Sequence, residues 1–323
     1  MLILNLEPDR FSKKAESIIR KVSDYEVLEK SDDNQSIQNK IRQADIIITR
    51  LGRKIDKQFI TDAKKLKVIV SATTGLNHID LVEANRRRIK VISLRGEISF
   101  LQDITSTAEF TISLILEYYR NTGRSFNHVL SGSKWNRDMF RGEQLSGKSI
   151  GIIGMGRLGN IVASYAKAFR MIVFYSDIKE GELGLDSYYQ RLCLEDCLKK
   201  SDIVSLHANF SNSNVNFFNE DKFKLMKNDA LFVNTSRGEM VDEAAMLSAL
   251  QNKKIGGAAL DVISDENDFI NSSIDHPLIA YANKNKNLII TPHIGGASSD
   301  AMELTELFVI QKLISEPLFK KYK

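Results

Sequence analysis

The 323-residue chain contains only two cysteines, Cys193 and Cys197. That number excludes a disulfide-stapled scaffold. A single pair four residues apart, with no histidine nearby, is not a zinc site either, so no metal is expected. Both cysteines read as small, semi-buried side chains sharing one face of a helix in a reducing compartment. No apolar run approaches the ~20 residues of a membrane span. Net charge is only +4, and the Arg86-Arg87-Arg88 run lacks a second basic cluster or interleaved aromatics, so no nucleic-acid partner is expected. Met1 to Leu6 is too short for the apolar core of a secretory signal and runs into Glu7, Asp9 and Arg10. A cytoplasmic protein with no membrane partner is the expectation. Low-complexity tracts and short repeats are also missing. What remains is an ordinary globular composition, 43% hydrophobic and 27% charged, at a length suited to two domains.

Against that background one stretch stands out: Gly154-Met155-Gly156-Arg157-Leu158-Gly159. The apolar run Ser149 to Ile153 before it reads as a buried strand. After it, Ile161, Val162, Tyr165, Ala166 and Phe169 recur at helical spacing. Strand, three glycines and helix form a cradle for a dinucleotide. The first glycine permits the tight turn, the second lets pyrophosphate approach the backbone, and the third lets helix pack on strand. The helix N-terminus then favours the negative charge. Asp177 ends the next strand, Met171 to Tyr175, eighteen residues past Gly159, where a carboxylate binds a ribose hydroxyl. Its charge favours NAD over NADP, although Lys179 could reach a 2′-phosphate.

The first hundred residues alternate strand and helix. Strands are expected at 2–4, 45–48, 68–70 and 91–92, with helices at 11–22, 56–63 and 79–87. One long helix is expected from Ile104 to about Leu130. A second alternating series has strands at 150–153, 171–175, 202–206, 230–233, 257–260 and 288–291, and the tail from Ala297 to Leu318 is helical again. The pattern implies parallel sheets with helices on both faces. Ends of similar texture around a second sheet suggest an insertion. Two crossings would then make a hinge beside a substrate cleft.

Three segments put polar residues directly after apolar strands, where open α/β sheets place their ligands. They are Asn234-Thr235-Ser236-Arg237-Gly238, Asp261-Val262-Ile263-Ser264-Asp265-Glu266 and Thr291-Pro292-His293-Ile294-Gly295-Gly296. With these, with Thr74-Gly75-Leu76-Asn77-His78-Ile79-Asp80, with Ala108-Glu109, with Trp135, Phe140, Gly142, Leu145 and Gly147, and with the glycine turn, the chain resembles the D-isomer-specific 2-hydroxyacid dehydrogenases over nearly its whole length.

The resemblance implies an α/β protein of two doubly wound parallel-sheet domains, a Rossmann cofactor domain inserted into a flavodoxin-like substrate domain. Residues 1–100 and 294–323 would form the substrate domain and 101–293 the NAD-binding domain. The implied activity is NAD-dependent hydride transfer between a small 2-keto acid and its D-2-hydroxy acid, with Arg237, Glu266 and His293 as the catalytic set. Physical chemistry fits those roles. Hydride addition at C2 builds negative charge on the oxygen, which needs a proton donor, and an ordinary imidazole titrates near ~6.5, within reach of neutrality. Glu266 would favour the imidazolium and orient the ring. Arg237 offers a rigid fork of donors to carboxylate and carbonyl.

Gly154, Gly156, Arg157, Leu158, Gly159, Asp177, His207, Thr235, Asp261, His293, Gly295 and Gly296 would contact the cofactor, with Asp261 on the nicotinamide carboxamide. Thr74, Gly75, Leu76 and Asn77 would bind the substrate carboxylate through a glycine-permitted nest of amides, together with Arg237 and His293. Read without the resemblance, Arg237 could be a surface ion-pair residue, Glu266 a solvated acid and His293 a loop histidine. Trp135 reads as a packing anchor of the interlobe region. A domain core could absorb the apolar face around Leu114, Ile115, Tyr118 and Tyr119, but the resemblance suggests a two-fold homodimer contact there. Arg50 could meet a distal anionic group on the substrate or serve the surface. Asn209 stands where the family usually has proline, and the Ser211 to Asn216 stretch is rich in Asn and Ser. Arg170 stands where glycine is common, at small cost unless its φ is positive. The short tail after His293 argues against an appended regulatory module. A nucleotide-sensing corepressor on the same fold is the rival reading.

Overall fold

The computed structural model describes residues 1–132, 135–179, 186–269 and 275–322. The chain forms two compact units, Met1–Asp103 with Ser298–Lys323, and Ile104–Ala297. The sequence pattern suggested breaks near 100 and 293. Ile294 and Gly295 stay with the second unit because their amides donate to Asp261 there.

The first unit is built on a five-stranded parallel sheet of β1 (Leu2–Asn5), β2 (Asp24–Val27), β3 (Ile46–Thr49), β4 (Val68–Ser71) and β5 (Lys90–Ser93). Its order is β2-β1-β3-β4-β5, the flavodoxin-like arrangement. Strands such as Ile46-Ile47-Ile48 are buried on both faces, as helices covering both sides of a parallel sheet require.

The second unit holds β6 (Ser149–Ile153), β7 (Ile172–Ser176), β8 (Gln190–Arg191), β9 (Ile203–Leu206), β10 (Leu231–Asn234), β11 (Gly257–Leu260) and β12 (Leu288–Ile290). The order β12-β11-β10-β9-β6-β7-β8 places β6 at the reversal point of a Rossmann sheet. Alternate residues feed two cores. Phe232, Ala258 and Leu260 enter one, and Leu231, Val233 and Ala259 the other. Every strand therefore points its C-terminal end at the same edge, where β6, β9, β10, β11 and β12 deliver their loops.

Several local expectations need correction. The edge strand β2 and the helix Asn34–Gln43 were not anticipated. The strand buries only Tyr25, and the helix only Ile41, too little for an apolar rhythm. The single helix expected over 104–130 is two, Ser106–Arg120 and Thr122–Leu130, broken at Asn121 in the left-handed region with φ +55°. Leu114, Ile115 and Tyr119 are buried in the second unit's own core, with Tyr118 packed on it. The exposed apolar residues lie instead on and after the second helix: Phe126, Val129, Leu130, Met139 and Trp135, the last 89% exposed and so no packing anchor. Cys193 is the exposed N-cap of the helix Leu194–Lys200, and only Cys197 is buried, so they share no face. Burial pushes the Cys197 thiol up to about 12, which leaves it inert. Arg170 has φ +59°, so this departure from glycine does carry a backbone cost. No helix among the described residues is long and apolar enough to cross a membrane.

Candidate active site

Each of the three glycines after β6 does a different job. Gly154 has φ +96°, and a Cβ there would stand 2.6 Å from the Ala208 amide nitrogen. At Gly159 a Cβ would lie 2.2 Å from the Gly154 carbonyl oxygen, so helix Arg157–Ala168 could not close on the turn. Gly156, the N-cap of that helix, has nothing within 4 Å of an added Cβ. The fold itself needs the outer two; the middle one leaves an open approach to the helix N-terminus.

Asp177 follows β7 and reaches back to the same turn. Its Oδ2 accepts the Met155 N–H at 2.7 Å, and its Oδ1 accepts the Lys179 N–H at 2.8 Å. Arg157 donates to the Ile104 carbonyl at 2.7 Å, and burial lowers its pKa. Leu158 packs on the second unit's core. These features fit a dinucleotide: an open N-terminal turn for pyrophosphate and a carboxylate beside it for a ribose.

His207, after β9, donates its amide to Ile153 and pairs its Nε2 with Ser205 Oγ at 2.8 Å. Burial pushes its pKa down to about 4, so it stays neutral at pH 7. Thr235, after β10, shares a hydroxyl contact of 2.9 Å with Thr111 of the crossing helix.

Asp261 follows β11 and is 2% exposed. Its Oδ1 accepts from the Thr291 hydroxyl at 2.7 Å and the Ile294 amide at 2.9 Å, and its Oδ2 from the Gly295 amide at 2.7 Å. The His293 amide donates to its backbone carbonyl at 2.8 Å. Desolvation raises the Asp261 pKa against these donors. One buried carboxylate thus fixes the turn that carries His293, a structural duty the sequence did not reveal. Gly295 is required there, since a Cβ would meet Asp261 Oδ2 at 2.9 Å, and Gly296 lies beside Thr107.

His293 has φ +53°, a conformation histidine tolerates better than most residues but one that must be held. Its Nδ1 is hydrogen-bonded to Glu266 Oε1, which leaves Nε2 as the ring nitrogen for proton transfer. Arg237 is the N-cap of the turn Gly238–Met240 and donates Nη1 to the Ser236 carbonyl at 2.7 Å. Asn234 Nδ2 holds the Arg237 carbonyl at 2.8 Å. Burial lowers the Arg237 pKa, and the nearby Glu266 carboxylate partly offsets this. Three strand-end loops distant in sequence therefore bring guanidinium, carboxylate and imidazole into one electrostatic neighbourhood.

In the first unit, Thr74-Gly75-Leu76-Asn77 follows the C-terminal end of β4. Thr73 Oγ1 donates to the Gly75 carbonyl at 2.8 Å, and Leu76 accepts the Ile79 amide. Arg50 is spent on structure: Nη2 donates to the Glu7 and Asp9 carbonyls at 2.8 and 2.6 Å, with buried Glu306 3.6 Å from Nη1. Those bonds are the structural duty the sequence left open as the alternative to a ligand role. Among the described residues, no group of three or more His, Cys, Asp or Glu side chains could hold a metal ion.

Comparison with known proteins follows the same lines. Residues 112–295 match the family model described as D-isomer specific 2-hydroxyacid dehydrogenase, NAD binding domain. Glyoxylate reductase of Thermococcus litoralis is 34% identical over 283 residues, covering 85% of this chain and 81% of the relative. Glyoxylate reductase of Aeropyrum pernix is 32% identical over 311 residues, 94% of this chain and 89% of the relative. The crystal structure of Aquifex aeolicus D-lactate dehydrogenase complexed with NAD and lactic acid superposes with a TM-score of 0.83 at 25% identity, over 98% of this chain and 95% of that one. The chain belongs to the D-isomer-specific 2-hydroxyacid dehydrogenase family, NAD-dependent oxidoreductases that interconvert 2-keto acids and 2-hydroxy acids.

Proposed function

We propose that the protein reduces a small 2-keto acid to its D-2-hydroxy acid with NADH and catalyses the reverse oxidation with NAD. The observation that carries this reading is the His293–Glu266 hydrogen bond, with Arg237 beside it and a dinucleotide turn in the same unit. Bound NADH supplies the hydride that adds to C2 of the substrate. His293 Nε2 delivers a proton to the carbonyl oxygen as its negative charge grows, and takes it back in the oxidation. Glu266 keeps Nδ1 engaged, so the ring stays aimed with Nε2 toward the substrate oxygen. Arg237 binds the substrate carboxylate and polarises the carbonyl.

Gly154, Gly156, Arg157, Leu158 and Gly159 are assigned to the pyrophosphate and Asp177 to the ribose hydroxyls. His207, Thr235, Asp261, Gly295 and Gly296 are assigned to the nicotinamide side. The Thr74–Asn77 turn is assigned to the substrate carboxylate. Glyoxylate, the substrate named in the archaeal relatives, is the first candidate, and pyruvate, the keto partner of lactate, the second.

The protein is further proposed to act in the cytoplasm as a homodimer. Unpaired Cys193 and Cys197 support the first, and the exposed Phe126, Val129, Leu130, Met139 and Trp135 supply an apolar face for the second. A purely nucleotide-sensing role is not favoured, since the relatives are reductases and dehydrogenases and Arg237, Glu266 and His293 are all present.

Purified protein should oxidise NADH with at least one of glyoxylate, hydroxypyruvate, pyruvate and longer or phosphorylated analogues, and should use NADPH less well because of Asp177. No turnover across that panel, with NADH-dependent capture of a protein partner, would reverse the conclusion. Light scattering at micromolar concentration should return a dimer; a monomer would refute that assignment.

A further inference from the structure

Glu243 and His276 have no part in the site as described, yet they grip the turn carrying Glu266 at both ends. Glu243 begins the helix Glu243–Gln251, six residues past Arg237. Its Oε1 accepts the Ser264 amide N–H at 2.8 Å, and its Oε2 lies 3.1 Å from His276 Nε2. His276 caps the helix Pro277–Ala282, its Nδ1 accepting the Leu278 N–H at 3.3 Å. That acceptor role assigns the proton of the neutral ring to Nε2, facing Glu243. The same ring is met edge-on by Phe269, with centroids 5.7 Å apart and planes at 90°.

Ser264 precedes Glu266 by two residues, and Phe269 closes the 3-10 turn that Glu266 opens. Between them Asp265 has φ +53°, a left-handed conformation that needs outside support. Both members of the pair are largely shielded, His276 at 11% and Glu243 at 18% side-chain exposure. The approach is tight on the Arg237 side too, since a Cβ on Gly238 would stand 2.0 Å from the Ile263 carbonyl carbon. A side-chain pair serving only the fold would have no reason to receive both ends of this one turn.

We infer that Glu243 and His276 are positioning residues for proton transfer: they fix Glu266, and through it the ring of His293. This rests on the proposed roles of Glu266 and His293. The test is a double-mutant cycle on the full chain, comparing parent, Glu243→Ala, Glu266→Gln and the double variant by kcat, keto-acid KM, NADH Kd and melting temperature.

Each single variant should lose about tenfold or more in kcat with NADH affinity unchanged, and the double variant should be no worse than Glu266→Gln alone. Glu243→Gln keeps an oxygen for the Ser264 amide and should recover most of kcat. Where Glu243→Ala is too unstable to assay, Phe269→Ala replaces it in the cycle by freeing the other end of the turn. Equal losses for the first variant in both backgrounds, or full activity in it while Glu266→Gln is impaired, would overturn the inference alone. Full activity in Glu266→Gln would instead overturn the reading of Glu266 on which it rests.

Discussion

Among the three glycines of the turn, Gly156→Ala is the change that separates nucleotide binding from folding. At Gly154 and Gly159 an added Cβ would collide with backbone at 2.6 and 2.2 Å, so those variants should fold poorly. At Gly156 the space is open to 4 Å, and φ −75° with ψ −160° suits any L-residue. Loss of unfolded-chain entropy favours alanine by about 0.4–1 kcal/mol, and its poorer N-capping costs a similar amount. The melting temperature should therefore move by no more than about 3 °C.

The cofactor reads the same methyl differently. It would stand at the proposed pyrophosphate site, against the amides at the start of the helix Arg157–Ala168. Weakening one charge-assisted hydrogen bond costs about 2–3 kcal/mol, or roughly 30–150-fold in Kd. Fluorescence titration with NADH and a thermal melt on the same sample measure both. A variant that binds NADH like the parent would refute the pyrophosphate site, and one that melts far lower would refute the open space at Gly156.

Other perturbations test neighbouring parts. Arg237→Lys retains the charge but loses the planar fork, so kcat/KM for the keto acid should fall by about 10²-fold while NADH binding holds. Arg170→Gly removes a left-handed arginine at φ +59°, and should leave stability unchanged or raise it by up to about 1 kcal/mol in urea unfolding. His207 titrates at about 4 when folded and near ~6.5 when unfolded. Between those values only the unfolded chain binds the proton, so stability falls as pH drops through that window, by about 3 kcal/mol in all. His207→Gln should remove that part of the pH dependence in denaturant titrations, and an unchanged slope would contradict its burial as a neutral ring.

Much of the candidate site was legible because each loop follows an apolar strand whose pattern can be read directly. Gly154 to Gly159, Asp177, Arg237 and His293 all lie at the ends of such strands. Glu266 could be picked out only through the family resemblance, because a lone acid beside Asp265 has no local signature. What stayed hidden depends on contacts between distant residues. Asp261 supports the His293 turn through bonds to Thr291, Ile294 and Gly295, and nothing in its own segment encodes that. Glu243 and His276 are separated by 33 residues and meet only after two helices fold. The break at Asn121 was missed because the apolar rhythm continues across it, while a single left-handed residue redirects the chain. The bonds from Arg50 Nη2 to the Glu7 and Asp9 carbonyls likewise join residues more than forty positions apart and have no local signature.

Steady-state reduction by His293→Ala, followed through loss of nicotinamide absorbance with the best keto acid of the panel, bears most closely on the acid–base assignment. Turnover should fall by about 10²–10⁴-fold while NADH still binds as in the parent. Undiminished turnover would mean that another group delivers the proton.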